Sequence, residues 1–437
     1  MMVPRTRLLV AFGLIVVPAA LLAPAPGAAT PAGIVFALFI AVALLDAVLG
    51  RRAGESISLA LPAVIRVVRR RTLSLPLTIS NAENSRATIR VGMVLPPELP
   101  CEQDDFTVDL PQGETQIVTL TCKAPVRGTF PIRSAALQAS SPLGLWSRRR
   151  SVPLTCEVRV YPDLGGDRRL LASLLVRRGS GLHLQRQVGR GREFETLREY
   201  VPGDAINEIH WKATARRSRL VTRTFRIERA QEIYAVIDCS RLTRRPAGEG
   251  ENILERYVSA SLGLALASRQ QGDLFGLVTF SDAVHGFVRA GSTHAHFAAC
   301  RNALLDLKSR SVTPDYIELA ATLDSRLRRR AMLVFLTELD DPVLAEDFIR
   351  AMQPLIRRHL IAVASVRDDG ARPLFELPAA TEAQVYERLR GHLAWQRLRE
   401  TSGRLAALGV RMMTADPARL TLELAQFYRN VRQRQAI

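Results

Sequence analysis

Hydrophobic and polar positions follow three different rules along the chain. From Leu8 to Leu45 no charged residue occurs, a run of 38 positions. As one helix that run would reach ~57 Å at about 1.5 Å per residue, too long for a single hydrocarbon crossing of about 30 Å. Pro24, Pro26, Gly27 and Pro31 interrupt it and leave two apolar pieces of near-minimal spanning length. The pattern predicts a transmembrane helical hairpin, about 8–24 and 32–49, within an N-terminal segment 1–52. Between residues 55 and 160 the rule changes to short segments such as TLSLPLTIS, ATIRVGMVL, QIVTLTCKA and CEVRVYP, rich in β-branched residues and punctuated by Pro, Gly and Asn. Strands at that spacing predict an antiparallel β-sandwich.

From residue 230 to 437 continuous apolar strands alternate with helical periods. IYAVID precedes a helix over Asn252–Arg269, and LFGLVTF and VHGFVRA read as a hairpin joined by Ser281–Ala283. Helical stretches follow at His294–Leu307, Tyr316–Leu327, Pro342–Arg357 and Glu382–Leu408, with AMLVFLT, HLIAVASV and VRMMTA as the intervening strands. Such alternation predicts a mostly parallel sheet covered by helices on both faces. The fold class is therefore multidomain: membrane helices, a β-sandwich at 55–160, a connecting motif region at 161–229, and an α/β domain at 230–437.

Charge orients the first segment. Arg5 and Arg7 precede the apolar run, Arg51 and Arg52 follow it, and the interrupting loop is uncharged. The positive-inside rule then puts both ends in the cytoplasm, as a multi-pass protein of the inner (plasma) membrane. The rival is a signal peptide cleaved near PGAA and followed by one anchor, which would put the rest outside the cell. Asp46 reads as an interfacial residue rather than part of a pathway. Arg69–Arg71 suit either anionic lipid head groups or a solvated strand edge that discourages aggregation, and Arg148–Arg150 suggest no chemistry.

The formal charge of the whole chain is +18, and Lys123, Lys212 and Lys308 are its only lysines. Such a surplus fits nucleic acid, anionic lipid or acidic protein partners, or simply a genome that favours arginine. Five dispersed cysteines, Cys101, Cys122, Cys156, Cys239 and Cys300, argue for a reducing compartment rather than a disulfide framework, and exclude a zinc ribbon. No GxxxxGK[ST], GxSxG, HExxH or CxxC occurs, so P-loop, serine-hydrolase and zincin chemistry have no motif here. His294 and His296 would point to different helix faces.

The densest stretch is Gly189–Phe225, with Glu193, Phe194, Arg198, Tyr200, a turn at Gly203 and Asp204, then His210, Trp211 and Arg216. Its GxGxEF, LRxYxPGD, IxW and AR elements, with RVYPDL, VRGTFPI and SSPLGLW upstream, resemble the signature of the domain of unknown function 58 (DUF58) family. Ser141 stands where that family commonly has Asp. The resemblance implies a membrane anchor, a C-terminal von Willebrand A-like domain, and frequent association with MoxR-type AAA+ ATPases, with no established reaction. A-like domains hold a metal through DxSxS, a Thr and an Asp at the carboxyl ends of their strands. Here Asp238 and Ser240 match, Leu242 replaces the last serine, Thr313 (or Asp315) supplies the second element, and Glu338 stands for the Asp. A lost hydroxyl and a lengthened carboxylate predict a weak Mg²⁺ site or none.

Six acids and ten bases between Gly189 and Arg229 read as an ion-pair surface. Carboxylate catalysis with Glu193, Glu195, Glu199, Asp204 and Glu208 and a His210 base is the alternative. Trp211 and Tyr200 are expected to pack the junction of sandwich and sheet. The expected function is a membrane-anchored adaptor working with a MoxR-type AAA+ ATPase in assembling or remodelling protein complexes, its client unknown. A metal-dependent hydrolase and a nucleic-acid binder are the other readings. The few aromatics are not interleaved with arginine as a stacking platform needs, so no nucleic acid is expected.

Overall fold

The computed structural model describes residues 1–22, 29–82, 86–163, 188–201, 206, 209–226, 230–248, 250–368, 370–374 and 381–433, with the backbone alone at 22, 188–198 and 223–226. Two compact units result, Met1–Asp163 and Leu164–Ile437.

In the first unit a short strand β1 (Met2–Pro4) leads into helix α1 (Thr6–Ala11), a π-helical stretch (Phe12–Val16) and α2 (Val17–Leu22). Helix α3 (Ala29–Gly50) follows. Its 22 residues make it, among the described residues, the one helix long and apolar enough to cross a membrane; Thr6–Leu21 is shorter. Of the two expected spans the second is thus of full spanning length, while the first, expected to run to residue 24, ends outside the described residues. Phe12 and Phe39 meet edge to face at 6.2 Å, so the two apolar helices touch.

Two sheets make the sandwich. One runs β1-β9-β8-β5-β6, with β3 also on β9, and the other runs β2-β4-β7. These strands are β2 (Ile57–Ala60), β3 (Val64–Val68), β4 (Thr72–Asn81), β5 (Ala87–Met93), β6 (Asp105–Leu110), β7 (Thr115–Lys123), β8 (Gly128–Ser140) and β9 (Trp146–Tyr161). Period-2 alternation in β4 sends Leu73, Leu75, Leu77 and Ile79 inward, where they join Val91, Leu110, Leu137 and Val158 in one core. Two expectations change. Arg69 is buried, so it faces neither lipid nor solvent. Cys101 and Cys122 form a disulfide, because the antiparallel pairing of their backbones brings together residues far apart in sequence.

In the second unit β10 (Val188–Glu199) pairs antiparallel with β11 (Val221–Arg226), and helix α4 (Trp211–Arg217) lies between them in sequence. Six further strands follow: β12 (Glu232–Asp238), β13 (Leu274–Phe280), β14 (Val284–Gly291), β15 (Ala331–Leu336), β16 (Leu360–Val366) and β17 (Arg411–Ala415). Their order is β14-β13-β12-β15-β16-β17, all parallel except the edge strand β14. That is the doubly wound 3-2-1-4-5-6 order, with the hairpin where the sequence put it. The central strand β12 explains the two layers. Ile233, Ala235 and Ile237 enter one core with α5 (Ile253–Gln270) and α10 (Leu420–Gln433). Tyr234 and Val236 enter the other, with α7 (Tyr316–Arg326) and α8 (Pro342–Ile356). Helices α6 (His294–Ala303) and α9 (Glu382–Ala407) complete the set.

Candidate functional site

In a doubly wound sheet the carboxyl ends of the strands form the crevice where ligands bind. β12 delivers Asp238 there, fully buried. Its Oδ1 accepts from the Ser240 amide at 2.7 Å and its Oδ2 from the Thr337 hydroxyl at 2.6 Å. Burial pushes its carboxyl above the usual range, against those hydrogen bonds. Thr337 is in turn 3.0 Å from the buried Tyr316 hydroxyl. Glu338 is equally engaged: its Oε1 accepts from the Val366 amide at 2.9 Å and from the Tyr257 hydroxyl. Burial lifts its pKa to about 7.

The cation at this place is a side chain. Arg245 lies 3.4 Å from Glu338 Oε2 through Nη2 and donates through Nη1 to Asp340 Oδ2 at 2.6 Å. It follows the 3-10 turn Arg241–Arg244, which Ser240 caps by accepting from the Leu242 amide at 3.3 Å. Thr313 Oγ1 accepts from Arg241 Nε at 3.4 Å, and Asp315 caps α7 by accepting from the Ile317 and Glu318 amides.

A hard divalent cation takes six or more oxygens around one centre, waters among them. Here the expected oxygens of Asp238, Ser240, Thr313 and Glu338 each accept a hydrogen bond from within the protein, and among the described residues no three His, Cys, Asp or Glu side chains stand together for a metal. Sequence reasoning missed Arg245, Tyr257, Thr337 and Asp340. Thr337 had a signal, a hydroxyl at a strand's carboxyl end, but Tyr257 lies mid-helix, where nothing in its spacing separates it from core.

The central motif gathers differently. β10 carries Glu193, Phe194 and Arg198, whose side chains lie outside the described residues, as do Gly203 and Asp204 entirely. By backbone register Phe194 faces Phe225 and Arg198 faces Thr222. The Tyr200 amide donates to Leu220 and the His210 amide to Val221, tying the motif's two halves together. His210 is no free base: its Nδ1 accepts from the Ala213 amide at 3.0 Å and caps α4. Trp211 begins α4 and is 62% exposed. Val201, Ile206 and Leu220 are exposed beside it in sequence, as are Lys212, Arg216 and Arg217. Arg219 is held by Glu199 at 2.5 Å in an exposed pair. Of the histidines in α6, His296 contacts the Phe275 carbonyl at 2.7 Å and His294 contacts Arg269 at 2.6 Å, in keeping with opposite faces.

No curated protein matches the chain by sequence. Among solved structures, the SpRpn10 VWA domain is 10% identical with a TM-score of 0.28, covering 45% of this chain and 94% of that one. The conserved hypothetical protein BatB from Bacteroides thetaiotaomicron is 11% identical with a TM-score of 0.29, covering 47% of this chain and 100% of that one. At such scores neither carries an argument, and the strand order is what assigns the fold. The family model described as "Protein of unknown function DUF58" matches residues 196–400, which take in Tyr200, Trp211, Asp238 and Glu338. Over those residues, which carry most of the six-stranded sheet, the chain matches the DUF58 family.

Proposed function

We propose that this protein is a membrane-anchored adaptor that docks a partner on the face around Trp211 and does so without a metal. The observation that carries the reading is the exposure of Trp211. A large exposed ring at a helix start, in the same stretch of chain as exposed Val201, Ile206 and Leu220, is the composition of an interface centre rather than of idle surface. Lys212, Arg216 and Arg217 around it favour an acidic protein surface by charge complementarity. The family resemblance makes a MoxR-type AAA+ ATPase the partner to try first, with assembly or remodelling of protein complexes as the task. In this reading α3 holds the protein in the inner membrane, α1 and α2 make a second pass, and the arginines flanking both ends keep the rest in the cytoplasm. The hydrolase reading finds no support in the closed hydrogen-bond set around Asp238 and Glu338.

The test uses the full chain in detergent micelles and the MoxR-type ATPase of the same genome. Trp211→Ala is expected to keep its melting temperature within about 2 °C, since truncating an exposed side chain changes stability by only ~0.5 kcal/mol. It should weaken ATPase binding at least about tenfold, as loss of a central aromatic does. A fall of many degrees would return Trp211 to a structural role. Unchanged binding would remove the docking face.

A further inference from the structure

We infer that the turn between β8 and β9, Ser141–Trp146, is a socket that clamps the ends of both apolar segments to the sandwich, so that the two leave the soluble domain and return to it on one side. The inference rests on the membrane-anchored reading above and sharpens it. Asp46 sits one turn before the end of α3 and is fully buried. Its carboxylate accepts from the Ser141 hydroxyl at 2.6 Å, the Leu143 amide at 2.9 Å and the Leu145 amide at 3.1 Å. Trp146 Nε1 donates to the Ala43 carbonyl of the same helix at 2.9 Å. Gly50 fits because a Cβ there would lie 2.8 Å from that of Ser141. An Asp in an apolar helix is costly unless its oxygens are met, and three donors from one turn meet them.

The other apolar segment begins at the same turn. Strand β1 pairs with β9 through Met2↔Arg148, Val3↔Ser147 and Pro4↔Trp146. The Arg5 amide donates to the Leu145 carbonyl at 2.9 Å, and Arg5 Nη1 donates to Ser140 Oγ at 2.7 Å. Residues 2–5 are thus part of the sandwich edge. A leader removed near PGAA would strip that strand and those bonds from the folded domain.

The test is made on the full chain expressed in cells. Intact mass of the membrane-extracted protein should include residues 2–5, and tags before β1 and after α10 should be protected or exposed together when sealed vesicles are probed. Limited proteolysis of the micellar protein between Gly50 and Ile57 should accelerate at least about tenfold in Asp46→Ala and Ser141→Ala, as loss of a buried hydrogen bond to a charged group allows. Asp46→Asn, which keeps one acceptor oxygen, should fall between. A mature N-terminus near Ala29, tags on opposite sides, or unchanged proteolysis would overturn the clamp. Release of the protein by alkaline washing would instead overturn the anchor reading alone.

Discussion

At the residue scale the decisive contact is the Arg245 guanidinium on a buried carboxylate. Arg245 is partly exposed while Glu338, its partner, is almost fully buried. Removing the arginine leaves Glu338 and Asp340 without their cation, whereas Asp238 keeps its own donors. Breaking a buried pair from one side costs about 3–5 kcal/mol, and the exposure of Arg245 discounts this to roughly 1–3 kcal/mol. Denaturant titration of Arg245→Ala should show that loss, and Mg²⁺ should leave the melting temperature of the unsubstituted protein unmoved. A Mg²⁺ shift abolished by Asp238→Asn would establish a metal site after all. His359 gives a separate check by pH. Burial, then the neighbouring Arg358, lowers its pKa from the usual value, and its Nδ1 accepts from the Ala331 amide at 3.2 Å, which only the neutral ring does. A depressed histidine stabilises the fold above the unfolded-state pKa of about 6.5, and that contribution is lost as pH falls below it. Urea midpoints should therefore decline from about pH 7 to about pH 5, and His359→Asn, which retains an acceptor, should flatten the slope. Sequence legibility stops here. Asp238 and Glu338 were readable because motif spacing marks them, but Arg245 reaches Glu338 and Asp340 across a loop whose path spacing does not encode.

At the element scale the period of the hydrophobic pattern was enough to place strands and helices. Continuous apolar strands told of a sheet buried on both faces, and the helical period from Asn252 told of a helix, which Asn252 caps by accepting from the Glu255 amide at 3.0 Å. The end of the fold opposite the carboxyl crevice was not readable. There Asp273, buried just before β13, accepts from the Tyr428 hydroxyl of α10 at 2.5 Å and from the Gln231 amide at 3.0 Å, and pairs with Arg432. Asp273, Tyr428 and Arg432 are up to 159 positions apart, and the packing of α10 against α5 brings them together. Tyr428→Phe removes one donor from a buried carboxylate and should cost about 1–3 kcal/mol in a denaturant titration. A cost below about 0.5 kcal/mol would mean that the arginine alone holds α10 in place.

At the scale of the whole molecule two observations pull toward different compartments. The arginines flanking the apolar run favour a cytoplasmic soluble part, yet Cys101 and Cys122 are bonded in the sandwich, which oxidising compartments favour. Dispersed cysteines read as free thiols in the sequence, because separation along the chain hides an antiparallel neighbour. Cys156, Cys239 and Cys300 are buried thiols outside the disulfide, so counting thiols reports the state of the one pair. If the soluble part is cytoplasmic, glutathione keeps that pair reduced and the disulfide forms after the cells are opened. Alkylation under denaturing conditions, in cells quenched with acid, should then label all five cysteines, and protein isolated in air should label three. Closing the 21-residue separation should also raise the sandwich's stability by about 3 kcal/mol in the oxidised sample, and leave the α/β unit unchanged. Three labelled cysteines in quenched cells would place the sandwich outside the cytoplasm. The clamp would survive that result, since it requires only that both apolar segments end on one side, whereas the charge-based orientation would not.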